Sequence, residues 1–184
     1  MSLFRRKQAH ARQPEGGTDP ATERAHVKAA KMAARHDITG LSRAVALGRH
    51  EPALSSSAAV ALVGIGDAES MRAVAGLLTH WDNHPAVVPA VQAAQGPAFD
   101  WMLAALADPD GYQLKGLAYH EVFKAVIARR CPDERTVDVI ATILAQPDLG
   151  SEIRLLCIAA LERLESERSL QLLRATAAGP YSDV

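Results

Sequence analysis

Four basic side chains, Arg24, Lys28, Lys31 and Arg35, follow one another at spacings of 4, 3 and 4 residues. On a helix such spacings place all four on one face. A row of fixed positive charge recognises carboxylates, phosphates or anionic lipid headgroups, so an acidic partner, protein or nucleic acid, is the chemistry this strip can do. The plainer role is equally physical: the outermost helix of a helical array needs a polar face to stay in water. Val27, Ala30, Ala34 and Ile38 are expected to occupy roughly another, apolar, face of the same segment.

A second cluster is His80-Trp81-Asp82-Asn83-His84. His-x-Asp-x-His supplies metal-ligand types, but a metal needs converging ligands and a supporting shell. No third strong ligand lies nearby in sequence, so the cluster reads as exposed turn residues. Trp81 is expected to plug the gap between helices, the alternative being that it anchors a partner. Tyr119-His120-Glu121 has acid–base groups, but neighbours on a helix point about 100° apart and form no dyad. Cys131 and Cys157 are too few for a disulfide framework and lack zinc spacing. Their expected offset of about 12 Å along a helix exceeds the roughly 7 Å that a disulfide spans. No GxSxG, P-loop, HExxH or GxGxxG occurs, and Gly64-Ile65-Gly66 reads as a turn. No catalytic or metal-binding residue is therefore nominated. Aromatic residues at 4% are poor material for stacking bases or lining a cofactor pocket, and no cofactor is expected.

The segments that must carry these residues are helical. Ala and Leu dominate the apolar set, and breaks rich in Gly, Pro, Asp and Asn recur without alternating β-branched runs. Five helix pairs are predicted: 21–36 with 38–48, 52–65 with 67–80, 85–95 with 97–107, 113–130 with 133–146, and 151–164 with 166–178, the alternative for the fourth being that Gly111 to Gly116 is a loop rather than a helix start. Asp19 or Thr22, Asp67, Asp133, Ser151 and Ser166 are the expected caps. Pro97 suits a first helical position, and Pro132 breaks the chain. Residues 1–20, with Pro14, Gly16, Gly17 and Pro20, read as a flexible basic tail, 21–178 as the repeat domain and 179–184 as a C-terminal tail.

Charge is unevenly spread. Residues 1–50 hold ten Lys and Arg against four Asp and Glu, so +6, while the remainder carries −7. The acidic remainder would repel phosphate, which weakens the nucleic-acid reading. No stretch approaches the roughly 20 apolar residues of a membrane span, and the basic start is followed by no apolar segment. A cytoplasmic protein is expected.

The breaks inside the pairs mark an internal period. Gly66, Gly96, Cys131 and Glu165 lie 30, 35 and 34 residues apart. Five positions before each stand Ala61, Val91, Val126 and Ala160, followed by Leu62, Gln92, Ile127 and Leu161. After the marks an apolar stripe opens at Met71 and Val74, Trp101 and Ala104, Val137, Val139 and Ile140, and Leu170, Leu172 and Leu173. A lone pair of such helices cannot bury both faces, whereas stacked neighbours do.

Ser151-Glu152-Ile153-Arg154 through Ala159-Ala160-Leu161, with Asp148 in the preceding loop, resembles the first helix of a HEAT or HEAT-like repeat. Asp82-Asn83-His84-Pro85-Ala86-Val87-Val88 is similar, with Pro89 where an Arg is usual. Ala58 to Leu62, running through Gly66-Asp67-Ala68, matches the Ala-Leu and its turn. The resemblance implies an all-α, right-handed alpha-alpha superhelix of about five pairs. It implies a non-enzymatic scaffold that holds another protein; the partner-binding candidates, Arg24, Lys28, Lys31, Arg35 and Trp81, come from the spacing and turn position described above. HEAT-like folds also include chromophore lyases and alkylation-repair DNA glycosylases. Asp100 beside Trp101 resembles the glycosylases' acid-plus-aromatic theme, although Trp101 falls on a predicted core stripe.

Overall fold

A computed structural model describes residues 19–128, 134–146 and 149–177. Residues 1–18 of the expected N-terminal tail, the C-terminal tail, the Cys131 mark, the Pro132 break, the Asp133 cap and the loop acid Asp148 lie outside these residues, whereas Asp19 and Pro20, also assigned to the tail, are the cap and first residue of α1. The described residues form ten α-helices and no strand. They are α1 (Pro20–Ala34), α2 (Ile38–Ala46), α3 (Pro52–Ile65), α4 (Ala68–Leu78), α5 (His84–Gln92), α6 (Pro97–Ala107), α7 (Gly116–Ile127), α8 (Glu134–Leu144), α9 (Ser151–Leu164) and α10 (Glu167–Ala177). A single 3-10 turn, Trp81–Asn83, precedes α5.

Local chemistry explains the boundaries. Pro at the first or second position opens α1, α3, α5 and α6, where a missing N–H is harmless. Asp19, Asp37 and Asp67 accept backbone N–H groups from Ala21, Gly40 and Ser70, filling donors that a helix start leaves open. Ser166 does the same for Ser169. Ser151 does not cap: it is the first residue of α9, and Gly150 takes the cap position without a side-chain bond. The break after Asp108 runs to Lys115, so the alternative of a loop from Gly111 replaces the helix start at 113. The Asp108 carboxylate accepts the Gly111 N–H at 3.1 Å, which closes a turn and delays α7 to Gly116.

Packing follows a regular order. Each odd-numbered helix packs on the next odd one, from α1 to α9, and each even-numbered helix on the next even one, from α2 to α10. Consecutive helices also pack across the breaks, α2 on α3, α4 on α5, α6 on α7 and α8 on α9. One apolar core results, running from Ala25 to Leu164. Within it Ser55 donates to the Val45 carbonyl at 2.8 Å, tying α3 to the end of α2. The centre departs from the one-broad-face expectation. α6 buries Ala98, Phe99, Trp101, Met102, Leu103, Ala105 and Leu106, because it is enclosed by α3, α4, α7 and α8. The expected Leu170–Leu172–Leu173 stripe is also corrected. Leu170 is 46% exposed, since α10 packs chiefly on α9 and α8.

Gly66 and Glu165, two of the period marks, both adopt the left-handed conformation that ends a helix, with φ of 70° and 48°. A Cβ on Gly66 would stand 3.0 Å from the Ala98 backbone N, so α6 approaches the end of α3 through the space a side chain would fill. Gly66→Ala should therefore lower stability by about 1–2 kcal/mol. In a thermal melt that is a drop of about 3–8 °C.

Candidate partner-binding surface

α1 buries Ala25 and Ala29 and half-buries Thr22, Met32 and Ala33 against α2 and α3. Small alanines let α3 approach closely. Consequently Ala30 and Ala34 are exposed, and Val27 is 50% exposed, so the expected Val27–Ala30–Ala34 face is not the buried one. Ile38 is buried, but as the first residue of α2. One bond ties α1 to α3: His26 Nδ1 lies 3.1 Å from the Ser57 hydroxyl. That hydroxyl already donates to the Ala53 carbonyl at 2.7 Å, which makes His26 the donor.

Arg24, Lys28, Lys31 and Arg35 are all exposed. None has a carboxylate within salt-bridge distance among the described residues. Arg24 Nε instead donates to the Pro20 carbonyl at 3.2 Å. Together with Val27 and Met32 the four basic groups line a groove of about 520 Å³. Glu23 and Asp37 line it as well. A second groove of about 450 Å³ shares Arg24 and Lys28 with it and is lined also by Asp19, His50, Glu51, Pro52 and Leu54.

Trp81 does not plug the stack. It is 70% exposed and rests on the His84 ring, with centroids 4.6 Å apart and planes tilted by 39°. Its neighbours fix it there. Three successive carbonyls at the end of α4 receive side-chain donors: Thr79 Oγ1 to Gly76 at 2.6 Å, Asn83 Nδ2 to Leu77 at 3.1 Å and His84 Nε2 to Leu78 at 2.9 Å. The His84 bond requires a proton on Nε2. So His84, one of the residues that looked like metal ligands, caps α4 together with Thr79 and Asn83, and the turn holds Trp81 at its tip. Asp82 is engaged as well, accepting from Arg49 Nη2 at 2.7 Å. Gly48, Arg49, Pro52, Trp81 and Pro85 line a notch of about 260 Å³ there.

The remaining candidates disperse. Tyr119 stacks on Phe123 with centroids 6.2 Å apart, and Glu121 pairs with Lys124 at 3.3 Å. Burial pushes the Tyr119 hydroxyl up, with a smaller push from Cys157. Asp100 is exposed and bound by Arg135 at 2.6 Å, whereas Trp101 is buried edge-to-face against Tyr112. They do not converge. Asp67 is held below the usual carboxylate range, chiefly by the Ser70 N–H and less by His36, whose Nε2 is 2.9 Å away. Its stabilisation is present at neutral pH and lost as pH falls through the acid range.

Cys157 is fully buried, and burial pushes its thiol up to about 12, with Arg154 opposing weakly. The unfolded thiol ionises near about 8.5. The folded chain keeps a proton that the unfolded chain loses, so stability should fall as pH rises from about 8.5 toward 12. Urea midpoints at pH 8 and pH 10 should show this fall, and Cys157→Ala should flatten it.

Sequence reasoning missed the Arg49–Asp82 and His26–Ser57 links. They join positions 33 and 31 apart in sequence, and no local period marks such pairs. No family model, curated protein or solved structure matches this chain.

Proposed function

We propose that the chain is a non-enzymatic, cytoplasmic scaffold of the HEAT-like class: about five stacked helix pairs wound as a right-handed superhelix, holding another protein on its first helix. The helix-to-next-but-one contacts along both rows support the repeat reading, since stacked pairs require them. One observation carries the functional reading. Arg24, Lys28, Lys31 and Arg35 form a strip of a single sign, without carboxylate partners among the described residues, around the half-exposed Val27. Like charges at this spacing cost a helix about 0.2–0.5 kcal/mol per pair. Glu23 and Asp37 also line the groove, and the row of four cations is more than a face serving solubility alone needs. An apolar side chain inside the strip suits an acidic protein surface better than a phosphate backbone.

The test is capture from nuclease-treated extract by the wild-type chain and by R24E/K28E/K31E/R35E. A protein held by the first and released by the second supports the reading. Binding that disappears with nuclease treatment replaces it with nucleic-acid binding through the same strip.

A further inference from the structure

α1 and α2 close one end of the array and α9 and α10 the other, since each row of helices packs in order along the chain. Six large apolar side chains are exposed among the described residues. Four belong to these end pairs: Val27 on α1, Leu47 at the close of α2, Leu155 on α9 and Leu170 on α10. A terminal helix needs a polar outer face to end an array in water, and both ends break that rule. The outermost odd-numbered helices also share a spacing. Arg24, Val27, Lys31 and Ala34 follow at 3, 4 and 3 residues, and so do Glu152, Leu155, Ala159 and Glu162. All eight are exposed. Each set lies on one helical face, opposite the buried Ala25 and Ala29 on α1 and Cys157 and Leu161 on α9. We infer that copies of this chain stack end to end, the Glu152–Leu155–Glu162 face of one receiving the Arg24–Val27–Lys31 face of the next. The inference rests on the reading of α1 as a protein-binding face and names the protein it holds as a second copy.

Register and charge select that occupant. Short breaks make consecutive helices antiparallel, so odd-numbered helices share a direction. Continued past α9 in that direction, the row puts Val27 on Leu155 and Arg24 beside Glu152. Glu162 lies about 10 Å further along its helix, beside Lys31 and Arg35. Opposite charges flanking an apolar contact are what fixes register and partner choice between paired helices. Glu152 and Glu162 have no cation within salt-bridge distance among the described residues, and the α1 cations no carboxylate. The basic residues of α9 are placed otherwise. Arg163 Nη2 donates to the Ile127 carbonyl at 3.0 Å, and Arg154 is half-buried. α1 itself carries four cations against one carboxylate, Glu23, which points about 100° away from Arg24. The two matching faces are different surfaces, so the contact is heterologous and adds copies rather than closing at two. Two helix pairs make a small interface, and association from about 10 μM upward is expected.

Sedimentation of the purified full chain tests this. Between about 1 and about 100 μM the mean mass should rise past twice that of one chain, and about 0.5 M salt should lower it by screening the charged contacts. Val27→Asp sets a carboxylate between Glu152 and Glu162 of the next copy, and Leu155→Lys sets a cation among those of α1. Each variant alone should stay a single chain. Mixed in equal amounts they should associate again, because the first keeps its α9 face and the second its α1 face. Both positions are exposed, so the helical circular dichroism of each variant should match wild type. A wild type that stays monomeric over this range overturns the inference. So does association that either variant leaves intact, a mixture that remains monomeric, or a photo-crosslinker at Leu155 that reacts only within its own chain. A monomeric chain whose capture of a different protein is lost on reversal of the α1 charges leaves the scaffold reading standing and removes the stacking. If charge reversal changes neither self-association nor capture, both fall.

Discussion

R24E/K28E/K31E/R35E is expected to weaken partner binding by about 100-fold or more and to leave the melting temperature nearly unchanged. The two halves of this result have separate causes. Each exposed charge contact contributes about 0.2–1 kcal/mol, and more when a partner excludes water from it. Reversal replaces attraction with repulsion at four positions, so a total near 3 kcal/mol is reached, and each 1.4 kcal/mol is tenfold. Stability responds little because the four side chains are exposed and without carboxylate partners among the described residues. The variant keeps a row of like charges at the same spacing, so the repulsion along α1 is unchanged in kind. Wild-type binding should also weaken as salt shortens the screening length, which is about 8 Å at physiological ionic strength. Titration of each protein against the captured partner at low and high salt measures both effects.

Phe123→Ala should produce the opposite pattern, a large loss of stability. Phe123 is fully buried on α7, which packs against α4, α5, α6 and α9. Removing a buried ring leaves a cavity that stiff neighbours cannot fill, at about 3–5 kcal/mol. Single domains are typically stable by about 5–15 kcal/mol, so this is a large share. A melting temperature lower by about 6–20 °C is expected. Leu155→Ala is the control: its side chain is 66% exposed, and its change should stay within about 0.5 kcal/mol.

How far the sequence can be read depends on whether the governing forces are local. The bounds of α3 and α6 follow from proline at the start of each and, for α3, from Gly66 beyond its end, because those residues act through their own backbone. The exposure of the basic strip was legible for a similar reason, since four charges on one face cannot all be buried. The buried face of α1 was not. Hydrophobicity ranks Val27 above Ala25 and Ala29, yet close approach of α3 favours the smaller side chains. Trp81 was misjudged on the same ground. Its exposure is set by Asn83 and His84 reaching back to the α4 carbonyls, a capping pattern without a fixed sequence spacing. Leu170 followed a helical period correctly but lies on a helix with few neighbours.

The central claim is that α1 holds a protein by its basic face, and Val27 is the place to measure it. A photo-crosslinking amino acid substituted at Val27, activated in the cells from which the chain comes, should give a discrete protein adduct on wild-type α1 and none on the R24E/K28E/K31E/R35E background. An adduct to nucleic acid, or a protein adduct that survives the charge reversal, would contradict it.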